Sequence, residues 1–129
     1  MFLGQLAIRN RDQSILERRL KSWPLVLEQK MSLSEQELTR KLNAIADPAR
    51  RKILSALKER GANSIGKDVG LCATDIESRM QLSQPTISHH MSVLKKAGLI
   101  EATKLGLWVW YRRNEAAIRI LNRELKSKL

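Results

Sequence analysis

The chain is short of cysteine, of acidic residues and of long apolar runs, and each shortage closes off a class of protein. Cys72 is the only cysteine among 129 residues. No disulfide can form within one chain, and no cluster of thiolates can gather around a soft metal ion there. No stretch approaches the ~20 consecutive apolar residues that a membrane-spanning helix requires. The opening "MFLGQLAI" is too short for a secretory core and lacks both a preceding basic segment and a clear cleavage site, so a cytoplasmic protein is expected. Aromatic residues make up only 4% of the chain. There is no internal repeat, no low-complexity tract, no glycine-rich phosphate loop and no carboxylate pair at a useful spacing. A catalytic site is therefore not expected, and neither is a cofactor.

The shortage of acid is the most telling. The 24 Lys and Arg residues face only 13 Asp and Glu, a formal net charge of +11. So large an excess on so short a chain points to a polyanionic partner, nucleic acid more often than an anionic membrane. Charge alone leaves open a soluble protein that is merely basic. The length predicts one domain with one modest core.

Periodicity and capping signals divide the chain. "SILERRLKSWP" reads as a short helix with Ser14 and Glu17 as a capping box, stopped by Pro24. It differs in character from the remainder of the chain, so residues 1–31 are set apart as an N-terminal extension and 32–129 as the main domain; Met31 is an alternative start. "SEQELTRKLNAIAD" predicts a helix capped by Ser34 and Glu37, with Leu38, Leu42 and Ile45 on one side. In "DPARRKILSALKERG", Asp47 caps, Pro48 suits the first turn and Gly61 suits the exit. A brief strand is expected around Val69 and Leu71. "TDIESRMQL" predicts a short helix with Thr74 and Glu77 as its box. A turn of about three residues leads to a helix capped by Ser83 and ended by Gly98, which is the helix-turn-helix pattern. The period then changes to two. "LIEATK" and "WVWYRR", joined through Gly106, form a β-hairpin, or wing. "NEAAIRILNRELKSKL" closes as a helix capped by Asn114, with Ile118, Leu121 and Leu125 as a narrow apolar seam.

The helix after Ser83 carries the functional signal. At about 100° per residue from Gln84, the side chains of Lys95, Ser88, Ser92, Lys96 and His89 fall on one side, and Ile87, Leu94, Met91, His90 and Ala97 on the other. The adjacent histidines point apart. They cannot readily share a metal ion, which on a helix wants i and i+4 spacing. His90 is expected to be a structural histidine, buried or half-buried and hydrogen-bonded to backbone. His89 sits on the polar edge, where it either contacts DNA or is simply solvated. Gln84, Thr86, Ser88, His89 and Ser92 are side chains that can read base edges in a major groove. An unpartnered surface helix usually carries paired Glu and Lys instead, and this one has no acid. Lys95, Lys96, Lys104, Arg112 and Arg113 are candidates to lie along phosphates, with Ser83 at the helix start.

On "LNAIADPARRKIL", "LSQPTISHHMSVLKKAGLI" and "GLWVWYRR", from about Leu42 to Arg113, the chain resembles the ArsR/SmtB family of winged-helix transcriptional repressors. The resemblance implies a mainly α fold with a small β-hairpin wing. It also implies a homodimer that binds an imperfect inverted repeat in double-stranded promoter DNA and leaves it when an effector binds. The first and last helices would form the dimer interface, here through Leu38, Leu42, Ile118, Leu121 and Leu125. The chain also departs from the family. Its thiolate sensors carry "LCVCDL" where this chain has "LCATDI", so Thr74 stands in place of the second cysteine. The family's other metal site takes Asp and His from the C-terminal helix, which here has neither. No metal is therefore expected as the signal. A redox response through Cys72 and a non-specific architectural role on DNA are the competing readings.

Overall fold

The computed structural model describes residues 32–59, 65–66 and 69–129. The expected helix at Ser14–Pro24 and the expected exit at Gly61 lie outside these residues. The element order is α1 (Glu35–Ile45), α2 (Pro48–Lys58), β1 (Leu71–Cys72), α3 (Ala73–Met80), α4 (Gln84–Lys96), β2 (Ile100–Leu105), β3 (Trp108–Arg113) and α5 (Glu115–Lys128).

The helix starts reflect their caps. At α1 the Glu37 amide donates to Ser34 Oγ at 3.2 Å, while the Ser34 amide donates to Glu37 Oε2 at 3.0 Å. At α2, Asp47 Oδ1 accepts from the amides of Ala49 (2.7 Å) and Arg50 (3.2 Å), and Pro48 has no amide hydrogen that needs a partner. At α5, Asn114 Oδ1 accepts from the Ala117 amide at 3.1 Å.

Two starts differ from expectation: Ser83 occupies the N-cap position of α4 but its hydroxyl makes no cap hydrogen bond, and the box of α3 is shifted. The capping box of α3 is not Thr74 with Glu77 but Cys72 with Asp75, two residues earlier: Asp75 Oδ2 accepts from the Cys72 amide at 3.2 Å. The reason lies in the sheet. Leu71 and Cys72 pair antiparallel with Tyr111 and Trp110, so the strand expected around Val69 and Leu71 is Leu71–Cys72, without Val69, and leaves Cys72 as the junction. Glu77 Oε1 is enclosed without a hydrogen-bond partner. Gly70 permits the pairing. Its φ is +96°, and an added Cβ would stand 2.2 Å from the Tyr111 carbonyl oxygen, so any side chain there would push β1 off β3.

The wing is therefore the larger part of a three-stranded sheet ordered β1-β3-β2. Ile100 opposes Arg113 and Leu105 opposes Trp108, and Gly106 turns the chain at φ +62°. The core is aliphatic. Ile53, Leu71, Ile76, Ile87, Leu94 and Leu99 are its largest fully buried side chains. They come from α2, α3, α4 and the sheet margin, so the helix-turn-helix and the wing share one core.

Leu38 and Leu121, expected at a dimer interface, are 5% and 3% exposed within the single chain. Leu42, Ile118 and Leu125 are half-buried against the same core. The apolar seams of α1 and α5 thus serve their own domain first, and only the last three side chains keep much surface for a partner. The ion pair between Lys128 and Glu35 ties the two helices together at the surface.

Candidate nucleic-acid interface

The helix α4 is held by its apolar side and exposed along its polar side. Ile87, Met91 and Leu94 are buried. Ser83, Gln84, Thr86, Ser88, His89, Ser92, Lys95 and Lys96 are all exposed. Two features set its entry. Gln81 takes the left-handed conformation at φ 54° and its amide donates to the Glu77 carbonyl at 2.9 Å, which ends α3 sharply. Ser83 Oγ and Thr86 Oγ1 then lie 2.9 Å apart and share a hydrogen bond. Those two hydroxyls are partly occupied by each other, whereas Gln84 at the start of the helix and Ser88, His89 and Ser92 along it are exposed on the same side.

The far end of α4 is clamped from two directions. Lys41 of α1 donates to the Ala97 carbonyl. Gly98, at φ +72°, reverses the chain beneath it. Asn114 Nδ2 donates to the Gly98 carbonyl at 3.2 Å, and the Asn114 amide donates to the Leu99 carbonyl at 2.9 Å. One residue therefore caps α5 and also joins the end of β3 to the exit of α4. The cap was legible from the sequence; the clamp was not.

His90 is half-buried, as its place on the helix predicts, but its partner is not backbone. Its Nδ1 lies 3.3 Å from Arg50 Nη1. A guanidinium only donates, so this contact asks Nδ1 to accept. Arg50 also donates through Nε to the Ala44 carbonyl (2.6 Å) and through Nη2 to the Asn43 carbonyl (3.1 Å). Arg51 Nη1 donates to the Ile45 and Ala46 carbonyls at 2.7 and 2.9 Å. These two arginines satisfy the carbonyl end of α1, where a helix has no partners of its own. Arg50 further links that end to α4.

Lys104 and Arg112 of the wing are exposed. They do not share a face: Lys104 opposes Val109, and Arg112 opposes Glu101 in the alternate register. Arg113 is engaged within the chain. Its guanidinium binds Glu115 through two 2.7 Å hydrogen bonds. Those bonds, aided by the charge of Arg113, outweigh desolvation and hold the Glu115 carboxyl below its usual range.

Cys72 is 3% exposed. Its Sγ sits 3.1 Å from Asp75 Oδ2 and 3.0 Å from Thr74 Oγ1. A buried thiol engaged in a helix cap is poorly placed to meet an oxidant. Among the described residues, no three His, Cys, Asp or Glu side chains are grouped to hold a metal ion, and no helix is long and apolar enough to cross a membrane.

Comparison with known proteins fits this geometry. Residues 47–102 match the family described as "Bacterial regulatory protein, arsR family". The uncharacterized HTH-type transcriptional regulator YbzH of Bacillus subtilis is 34% identical over 67% of this chain and 92% of its own. The transcriptional repressor SdpR of the same organism is 38% identical over 59% of this chain and 74% of its own. Among solved structures, the homodimeric winged helix-turn-helix DNA-binding domain Mb0332 of Mycobacterium bovis superposes with a TM-score of 0.55 at 21% identity, covering 74% of this chain and 87% of that one. Its likeness establishes the winged helix-turn-helix fold, and the identity to YbzH and SdpR establishes the lineage. The chain belongs to the ArsR family and is a transcriptional regulator, not an enzyme.

Proposed function

We propose that this regulator is a sequence-specific repressor that binds an inverted-repeat operator as a homodimer, each α4 entering the major groove of one half-site. The observation that carries the proposal is the outer face of α4. Its middle is neutral, short and rich in hydrogen-bonding groups, its end is cationic, and it has no acid. Gln84, Ser88, His89 and Ser92, with Thr86 beside them, have the chemistry for base edges. Ser83, Lys95, Lys104 and Arg112 have the chemistry for phosphates. Burial of Ile87, Met91 and Leu94 fixes the helix so that these groups are presented in one orientation.

The dimer is supported by the homodimeric state of Mb0332 and by the two-fold symmetry that paired half-sites demand. It would use the surface left on Leu42, Ile118 and Leu125. Ile118→Glu combined with Leu125→Glu should yield folded monomers in sedimentation, checked by circular dichroism. Operator affinity should fall by roughly a hundred-fold or more, because the second half-site no longer binds with the first. A folded variant that stays dimeric would move the interface elsewhere. The function itself is tested by anisotropy titration of DNA from upstream of the protein's own gene against random duplex, across salt. Preference for the upstream DNA at every salt concentration supports a specific repressor. Equal binding to both supports an architectural role.

A further inference from the structure

Two side chains from outside the helix-turn-helix reach α4, and both lead back to α1. At the end of α4, Lys41 of α1 donates to the Ala97 carbonyl. The fit there is close, since a Cβ on Gly98 would stand 3.2 Å from Lys41 Nζ. In the middle of α4, Arg50 Nη1 lies 3.3 Å from His90 Nδ1. Arg50 belongs to α2, but its Nε and Nη2 grip the Ala44 and Asn43 carbonyls at the end of α1. Closing that helix end uses those two nitrogens, and the third bridges onward to α4. Asp47 Oδ2 stands further from the same nitrogen, at 3.8 Å.

Two ties define a direction where one would define a point. His90 and Ala97 are separated by ~10 Å along the helix axis. Burial of Ile87, Met91 and Leu94 holds α4 down, but apolar burial is non-directional. Hydrogen bonds set both angle and distance. The far end of both ties is the helix that carries Leu42, which is half-buried and belongs to the surface proposed to meet a second copy. The direction of α4 is thus referenced to the dimer contact as well as to its own domain.

We infer that Lys41, Arg50 and His90 are positioning residues that set the half-site spacing this regulator accepts. The inference rests on the dimeric, operator-binding function proposed above and names the residues that determine one part of its specificity. Adding one base pair between half-sites about one helical turn apart displaces them by ~3.4 Å and turns them by ~35°. Divided between two subunits, a displacement of ~1.7 Å each is enough to break a hydrogen bond. A tied α4 cannot follow the displaced half-site without losing its ties, whereas an untied one can.

The test uses the full chain and its upstream duplex, with the half-sites located by footprinting and the spacer between them shortened or lengthened by one base pair. Anisotropy gives the affinity for each spacer, sedimentation the oligomeric state and circular dichroism the fold. The parent should bind the native spacer about a hundred-fold more tightly than either altered one. Lys41→Met keeps the aliphatic stem and removes the donor; His90→Phe keeps a ring and removes the acceptor. Each should remain a folded dimer and bind the native spacer nearly as well as the parent, while its discrimination between spacers falls by about ten-fold. Lys41→Arg, which restores a donor, should recover the parent's profile. Lys41 is only half-buried, so its variant is the less able to disturb the fold, and its result decides alone. A folded Lys41→Met that weakens equally on all three spacers overturns the inference, because the side chain would then serve stability or charge. A monomeric Lys41→Met overturns it too, because the side chain would then hold the dimer rather than aim α4. A parent indifferent to spacing overturns it while leaving DNA binding intact. Equal binding of the parent to upstream and random duplex overturns the proposed function, and the inference with it.

Discussion

Two cationic regions of this molecule look alike in sequence and do opposite things. Arg50 and Arg51 in α2 turn toward the carbonyl end of α1 and, through His90, toward α4. Lys95, Lys96 and Lys104, on α4 and the wing, are exposed. The net charge of +11 therefore overstates what a polyanion would meet. Part of it closes a helix end, and another part, Arg113, is matched by Glu115. The lesson is that positive charge divides by partner. The fixed fork of Arg50 lets one side chain gather two carbonyls at the end of α1, whereas Lys95, Lys96 and Lys104 face water.

This division can be broken first at Arg50. Its side chain is only 13% exposed, and removing it strands the Ala44 and Asn43 carbonyls and the His90 ring. Arg50→Ala should lower stability by about 2–3 kcal/mol and the melting temperature accordingly. The salt dependence of DNA binding by the folded fraction should not change, because no phosphate contact is lost. A salt slope that falls by about one unit with little loss of stability would place Arg50 among the DNA-facing cations instead.

The smallest expected effect is at Glu115. Its carboxyl is held below the usual range chiefly by the hydrogen bonds from Arg113, then by the charges of Arg113, Arg119 and Lys58, with desolvation opposing. A carboxyl depressed in the folded state stabilises it above the unfolded value of about 4.3, and that contribution disappears as pH falls through the folded value. The side chain is 52% exposed, so screening leaves a few tenths of a kcal/mol at most. Thermal melts of Glu115→Gln should be slightly below the parent at pH 7 and should converge with it as pH is taken below 4. A gap that persists in acid would mean that shape, not charge, holds the junction of wing and α5.

What the sequence made legible was local. The box at Ser34, the caps at Asp47 and Asn114 and the two-residue periodicity of the wing each lie within a few residues of the element they define, and together they specify the winged helix-turn-helix. The two-sided character of α4 was equally readable, because a helix of 13 residues displays its own periodicity. What was hidden depends on contacts distant in the chain. Nothing near Arg50 announces His90, forty positions away. Thr74 and Glu77 have the right spacing for a box, yet pairing of Cys72 with Trp110 decides the boundary against them. The seam of α5 shows that Leu121 faces apolar surroundings; only the folded chain shows that its own core supplies them.

The claim that the middle of α4 reads bases while the wing cations hold phosphates is tested most directly by one set of titrations. Ser88→Ala, His89→Ala, Lys104→Ala and Arg112→Ala are each measured by anisotropy on operator and random duplexes at several salt concentrations. Ser88→Ala and His89→Ala should each cost roughly 1–3 kcal/mol on the operator and almost nothing on random DNA. The two wing variants should weaken both DNAs alike and lower the salt slope by about one unit each. Equal losses on both duplexes for Ser88→Ala and His89→Ala would contradict base reading by α4.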